Sequence, residues 1–119
     1  MSNKAKGTQG ETDAEAYLVG NGYAILERNF ACAVGEIDLI AQKDGRYVFV
    51  EVKSRTQNRF GTPAQAVNRT KQQHIVKAAL FYLKTTVRST DVPMRFDVIE
   101  VLPGQIRHIP SAFAPGGYY

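Results

Sequence analysis

GEIDLIAQKDGRYVFVEVK, residues 35–53, decides the fold, because it reads as two runs of β-type residues joined by Asp44-Gly45. Asp-Gly between such runs is the strongest short hairpin signal a sequence carries, since both central residues of the favoured two-residue turn need positive φ. With those two residues in the turn, Ala41 faces Val48, Leu39 faces Val50, Ile37 faces Val52 and Asp38 faces Glu51. Alternation along the strands then puts Ile37, Leu39, Ala41, Val48, Val50 and Val52 on one face, expected to be the core side. The other face carries Glu36, Asp38, Glu51 and Lys53. A three-residue loop would slide the pairing by one and send Asp38 and Glu51 to opposite faces.

Two carboxylates directly opposed on an antiparallel pair repel each other. A divalent cation gives such a pair a purpose: Mg²⁺ takes one or two protein carboxylates and fills its other octahedral positions with water and phosphate oxygens. Lys53, two residues beyond Glu51, points to the same face and can hold a hydroxide nucleophile or stabilise charge developing on a phosphate. A polar, solvent-facing hairpin would account for any one of these charges, with Glu36 and Lys53 as a cross-strand ion pair worth under about 1 kcal/mol. Against that, Tyr47, Phe49 and Ile40 continue the charged face as apolar or aromatic residues, which sets the carboxylates at the border of a partly covered cleft.

Outward from the hairpin, Thr8 and Glu11 have capping-box spacing and predict a helix over residues 9–19, ended by Gly20 and Gly22. Residues 23–30 read as a strand, followed by strands over 36–42 and 47–53. After the polar TQNRFGTP of residues 56–63, Ile75, Val76, Ala79, Leu80 and Leu83 have helical spacing, predicting a helix over 70–85 capped by Thr70 and Gln73. Residues 94–101 form a fourth strand, and Pro103-Gly104 turns the chain into a short fifth over 105–109. The order α, β, β, β, α, β, β predicts a mixed sheet with helices packed on it. One domain over residues 1–119 is expected, with its core at about 8–110 and irregular termini at 1–7 and 111–119.

The chain of 119 residues, 44% of them hydrophobic, suffices for one core without disulfides. Its single cysteine, Cys32, excludes an internal disulfide and a multi-cysteine zinc site and suits a reducing compartment. Residues 1–10 lack the apolar segment of a signal peptide, and the longest apolar run, 78–83, is far short of a membrane span. A cytoplasmic protein with no membrane partner is expected.

The net charge is +4, and residues 52–90 carry Lys53, Arg55, Arg59, Arg69, Lys71, Lys77, Lys84 and Arg88 with no acid. A one-signed segment gains most when phosphates neutralise it; a basic solvated helix is the plainer alternative. Nucleic acid is the expected partner, with Arg55, Arg59, Arg69 and Lys71 on its phosphate backbone. His74 has no second ligand at metal spacing, Cys32 has no evident base beside it, and Asp97 reads as an ion-pair partner for a nearby arginine.

Asp38, twelve residues, then Glu51-Val52-Lys53 resembles the PD-(D/E)-x-K nuclease signature. Combined with Gly10-Glu11, Ala14 and Leu18, with Gly35-Glu36-Ile37-Asp38-Leu39-Ile40, with Phe49 to Lys53 followed by Arg55, and with Arg95-Phe96-Asp97-Val98, the sequence resembles the YraN-like family of small bacterial proteins over about residues 10–101. That family is similar to archaeal Holliday-junction resolvases. The resemblance implies an α/β, restriction-endonuclease-like fold, a mixed central sheet with a β-hairpin active site flanked by helices. It implies a Mg²⁺- or Mn²⁺-dependent endonuclease acting on DNA, structure-selective or non-specific, in which Asp38 and Glu51 bind the metal and Lys53 assists the attacking water. Glu11 matches the first-helix glutamate that often completes such a site, and it is equally the capping partner of Thr8. Ile37 stands where the signature has proline. A resolvase-like role also implies a homodimer. The rival readings are a non-catalytic nucleic-acid-binding module that keeps the fold, and an interaction protein that uses the tail.

Overall fold

In a computed structural model that describes residues 8–55 and 67–116, the chain forms α1 (Gln9–Gly20), β1 (Ala24–Cys32), β2 (Gly35–Lys43), β3 (Arg46–Ser54), α2 (Arg69–Tyr82), β4 (Met94–Leu102) and β5 (Gln105–Phe113). The hairpin has the expected register, Leu39 against Val50 and Ala41 against Val48, with Asp44 at φ 53° and Gly45 at φ 75° in the turn. The five strands lie in the order β1-β2-β3-β4-β5. Only β3 and β4 run parallel among these neighbours, and a parallel pair needs a crossover, which contains α2. The mixed sheet flanked by helices is the architecture the sequence predicts.

Both faces of the sheet are buried, which corrects the expectation of a single core side. Leu39, Ala41, Val48, Val50, Val52 and Ile99 pack with Ala14 and Leu18 of α1. Ile40, Phe49, Phe96 and Val98 pack with Ile75, Val76, Ala79 and Leu80 of α2. Helices on both sides are what central strands of a parallel pair require. Ile37 joins the α2 side rather than that of Leu39. Between the pairs Arg28–Leu39 and Phe30–Ile37 stand Asn29 and Asp38, and Asn29 has φ 53°. Phe30 and Ile37 beyond this point both lie on the α2 side.

Three boundaries differ from the sequence reading. The N-cap of α2 is Asn68, not Thr70, its side chain accepting from the Lys71 N–H at 2.8 Å. The helix ends at Tyr82, and residues Leu83–Val87 continue as a wider turn, with the Arg88 N–H donating to the Leu83 carbonyl at 2.6 Å. β5 runs on to Phe113 through an irregularity at Ser111, whose φ is 52°, so residues 111–113 are not tail. Two close approaches fix the helices on the sheet. A Cβ on Gly35 would stand 2.6 Å from the His74 carbonyl oxygen, and one on Gly10 would stand 2.0 Å from Ser54 Oγ.

Candidate functional site

Asp38 and Glu51 sit where the hairpin opens. The β2–β3 ladder runs from the turn to Leu39–Val50, and beyond it β3 continues alongside β4, pairing Glu51 with Val98 and Lys53 with Glu100. There the Val52 N–H donates to Asp38 Oδ2 at 2.7 Å, so a side chain, not a backbone carbonyl, takes this amide. Both acids are buried, Asp38 to 3% exposure and Glu51 to 2%. Burying a carboxylate costs several kcal/mol unless charge compensates it. Two lysines contribute here: Lys53 Nζ lies 3.5 Å and Lys71 Nζ 3.7 Å from Glu51 Oε2. Both distances are those of an ion pair rather than a tight hydrogen bond.

Glu11 arrives from the other side. It shares the inward stripe of α1 with Ala14 and Leu18 and is buried like them. Its N–H donates to Thr8 Oγ1 at 3.2 Å, as the capping reading predicts. Its residue also lines, with Thr8, Val52, Lys53 and Ser54, a cavity of about 310 Å³. Cap and cavity therefore meet at one residue, and Glu11 and Lys53 share that cavity.

Among the described residues no cluster of three or more His, Cys, Asp or Glu side chains is arranged to hold a metal. The donors at the opening are the carboxylate oxygens of Asp38 and Glu51. Such a set fits a hard divalent ion that keeps several waters, not zinc.

The residues expected on phosphate divide. Lys71 reaches Glu51. Arg69 is exposed at the start of α2. Arg55 donates through Nε to Glu100 Oε2 at 2.9 Å, while Arg59 lies outside the described residues. His74 is exposed and Cys32 half-buried, and both line a separate cavity of about 420 Å³.

On the α1 face a second polar group surrounds Asp97. Arg95 donates from Nε and Nη2 to its two oxygens, both at 2.8 Å, His108 Nε2 lies 2.7 Å from Oδ2, and the Ser111 N–H donates to Oδ1 at 3.0 Å. Burial, the strongest single influence, pushes this carboxyl up; hydrogen bonds from His108, Arg95 and Ser111 together outweigh it and hold the group below its ordinary value. The same pairing with Asp97 raises the Arg95 guanidinium, against the opposing effect of burial. His108 Nδ1 lies 3.2 Å from the Tyr17 hydroxyl, and Arg95 Nη2 donates to the Tyr23 hydroxyl at 2.6 Å. The arginine partner of Asp97 is the one expected. The two tyrosines carry no local signal, because they lie 91 and 72 positions from His108 and Arg95; His108 comes from the next strand, 11 positions from Asp97.

The fold and the site define a small α/β protein with a mixed five-stranded sheet and buried carboxylates at the fork of its central hairpin. The chain belongs to the family described as Uncharacterised protein family UPF0102, whose model matches residues 10–101; the YraN-like resemblance is to this family. It is 48% identical over 118 residues to a UPF0102 protein of Geobacter metallireducens, covering 95% of each chain. It is 45% identical over 116 residues to one of Clostridioides difficile, covering 95% of this chain and 100% of that one. Among solved structures it is similar to SSO0001, with TM-score 0.40 and 14% identity, over 91% of this chain and 52% of that one. The chain thus spans about half of SSO0001. Among the described residues no helix is long and apolar enough to cross a membrane.

Proposed function

We propose that the protein is a metal-dependent nuclease that hydrolyses phosphodiester bonds of DNA, with structure-selective or non-specific recognition. The observation that carries this reading is the burial of Asp38 and Glu51 at the opening of the hairpin, with Lys53 and Lys71 at its rim. Asp38 and Glu51 would hold Mg²⁺ or Mn²⁺. When bound, such an ion neutralises charge on the scissile phosphate and acidifies water. The Val52 N–H fixes the Asp38 carboxylate, so this ligand is oriented before anything binds. Lys53 orients the attacking water and offsets charge building on the phosphate oxygens. Glu11 closes the cavity from the α1 side. Arg55 and Arg69 hold the backbone on either side, contacts that position DNA without reading its sequence and make binding strongly salt-dependent.

The test is to incubate the purified protein with Mn²⁺ or Mg²⁺ and labelled duplex, single-stranded, flapped and four-way-junction DNA, beside an identically prepared Glu51→Ala protein. Cleavage by the wild type and a loss of about a hundredfold or more in the variant are expected. Equal cleavage by both would remove Glu51 from the chemistry. Binding without cleavage by both would move the reading to a non-catalytic nucleic-acid-binding module.

A further inference from the structure

Glu100 stands one strand over from Lys53, its parallel partner on β3, and is buried to 6% exposure. Its two oxygens hold two different arginines. Oε2 accepts from Arg55 Nε at 2.9 Å and Oε1 from Arg107 Nη1 at 2.8 Å. Arg107 is the antiparallel partner of Glu100 on β5, and Arg55 lies just past the end of β3, its own N–H donating to the Val101 carbonyl at 2.8 Å. The carboxylate on the middle strand is thus braced from one side and holds a guanidinium on the other. Both arginine side chains remain about a third exposed, at 34% and 31%. Glu51, Lys53 and Glu100 fall on one face of the sheet, since Phe49 and Val98 of that face alternate with Val50, Val52 and Ile99 of the other.

We infer that Glu100 is a positioning residue for a subsite that takes a DNA backbone phosphate next to the scissile one, with Arg55 as the group that grips it. The inference rests on reading the Asp38–Glu51 site as a DNA nuclease. Glu100 takes the Nε of Arg55, and the planar Nη1–Nη2 edge of a guanidinium is one of the edges that match a phosphate. Holding a long side chain in its bound geometry beforehand removes part of the ordering cost of binding. Arg107 keeps Glu100 from following Arg55 as the ligand arrives.

Charge and position predict opposite signs for one variant, which makes the inference testable. Glu100→Gln removes a negative charge near the DNA. If Glu100 acted only through the field, the variant would bind DNA more tightly; if it positions Arg55, binding weakens. The measurement is anisotropy of a short labelled duplex with the full chain, without divalent metal, over a range of salt concentrations. Glu100→Gln and Arg55→Lys are each expected to weaken binding about five- to tenfold, and the double variant no more than either alone, because both break one unit. In cleavage assays, Glu100→Gln should raise KM more than it lowers kcat. Wild-type or tighter affinity for Glu100→Gln would overturn the inference, as would additive losses. If Glu100→Gln fails to fold, Arg55→Lys decides alone: it keeps the charge, so unchanged affinity overturns the inference. A wild type that binds no DNA would sink the nuclease reading itself. A wild type that cleaves while Glu100→Gln binds more tightly would sink only this step.

Discussion

Asp97 and Glu51 are buried acids of neighbouring strands, yet they are held in different ways. Asp97 faces α1 inside a closed polar knot, with donors from Arg95, His108 and Ser111 at 2.7 to 3.0 Å. Glu51 faces α2, and the cations beside it stand at 3.5 and 3.7 Å on side chains 30% and 38% exposed. A knot of charge-assisted hydrogen bonds fixes where its elements sit, and losing one member strands the others. Mobile ammonium groups at a rim can instead move aside for a metal ion or a phosphate. Burial is thus common to both acids, and what differs is the reach and exposure of the described cations beside them.

The largest expected effect tests the knot. Asp97→Ala leaves Arg95 and His108 facing an empty position and should cost about 3–5 kcal/mol in urea unfolding; a cost under about 1 kcal/mol would erase the contrast with the hairpin. The pH dependence has a definite sign. Because the folded protein holds the Asp97 carboxyl below its ordinary value of 3.8, the unfolded chain takes up the proton first as pH falls. Its stabilisation is complete above that value and is lost as pH drops through it towards the lower folded value. The urea midpoint of the wild type should therefore fall from about pH 5 to about pH 3 relative to Asp97→Asn. A constant difference would mean that Asp97 does not titrate with unfolding.

At the hairpin the same kind of change should have the opposite sign. Asp38→Asn keeps an oxygen for the Val52 N–H and removes one of the two buried negative charges where the hairpin opens. Metal-free stability should rise by up to about 1 kcal/mol, while the stabilisation by added Mn²⁺ that the nuclease proposal expects of the wild type should be lost. Lower metal-free stability would place Asp38 with Asp97, among acids whose charge the fold requires.

Legibility follows how local each determinant is. The Asp44-Gly45 turn sets the β2–β3 register as far as Leu39–Val50, because turn chemistry and pairing lie within a few residues of each other, and just beyond it Asp38 takes the Val52 N–H. Capping by Thr8 was equally local. The two-sided core was harder to read, since Ile40 and Phe49 look like the edge of a polar face until the crossover lays α2 over them. Residues 111–113 read as the start of an irregular tail, but the positive φ of Ser111 is the bend that delivers its N–H to Asp97 while β5 carries on. Lys71 at Glu51 and Arg55 at Glu100 left no trace in spacing, because helix placement and the packing of β3 beside β4 bring them together only in the fold; Arg107 opposite Glu100 follows instead from the Pro103-Gly104 turn.

The smallest effect tests the packing behind the open site. The first turn of α1, which carries Glu11, rests on the end of β3 because Gly10 leaves room for Ser54. A methyl there would meet Ser54 Oγ at 2.0 Å and Ser54 Cβ at 3.4 Å, but Ser54 is exposed and its hydroxyl can rotate away. Alanine is also the better helix former by up to about 1 kcal/mol. The two effects nearly cancel, so Gly10→Ala should cost no more than about 1 kcal/mol in the wild type. With Ser54→Gly the contact disappears, and Gly10→Ala should then stabilise by about 0.5–1 kcal/mol. A change of sign between the two backgrounds would locate the restraint on α1 at Ser54; the same cost in both would show that another contact sets the depth at which Glu11 enters the cavity beside Lys53.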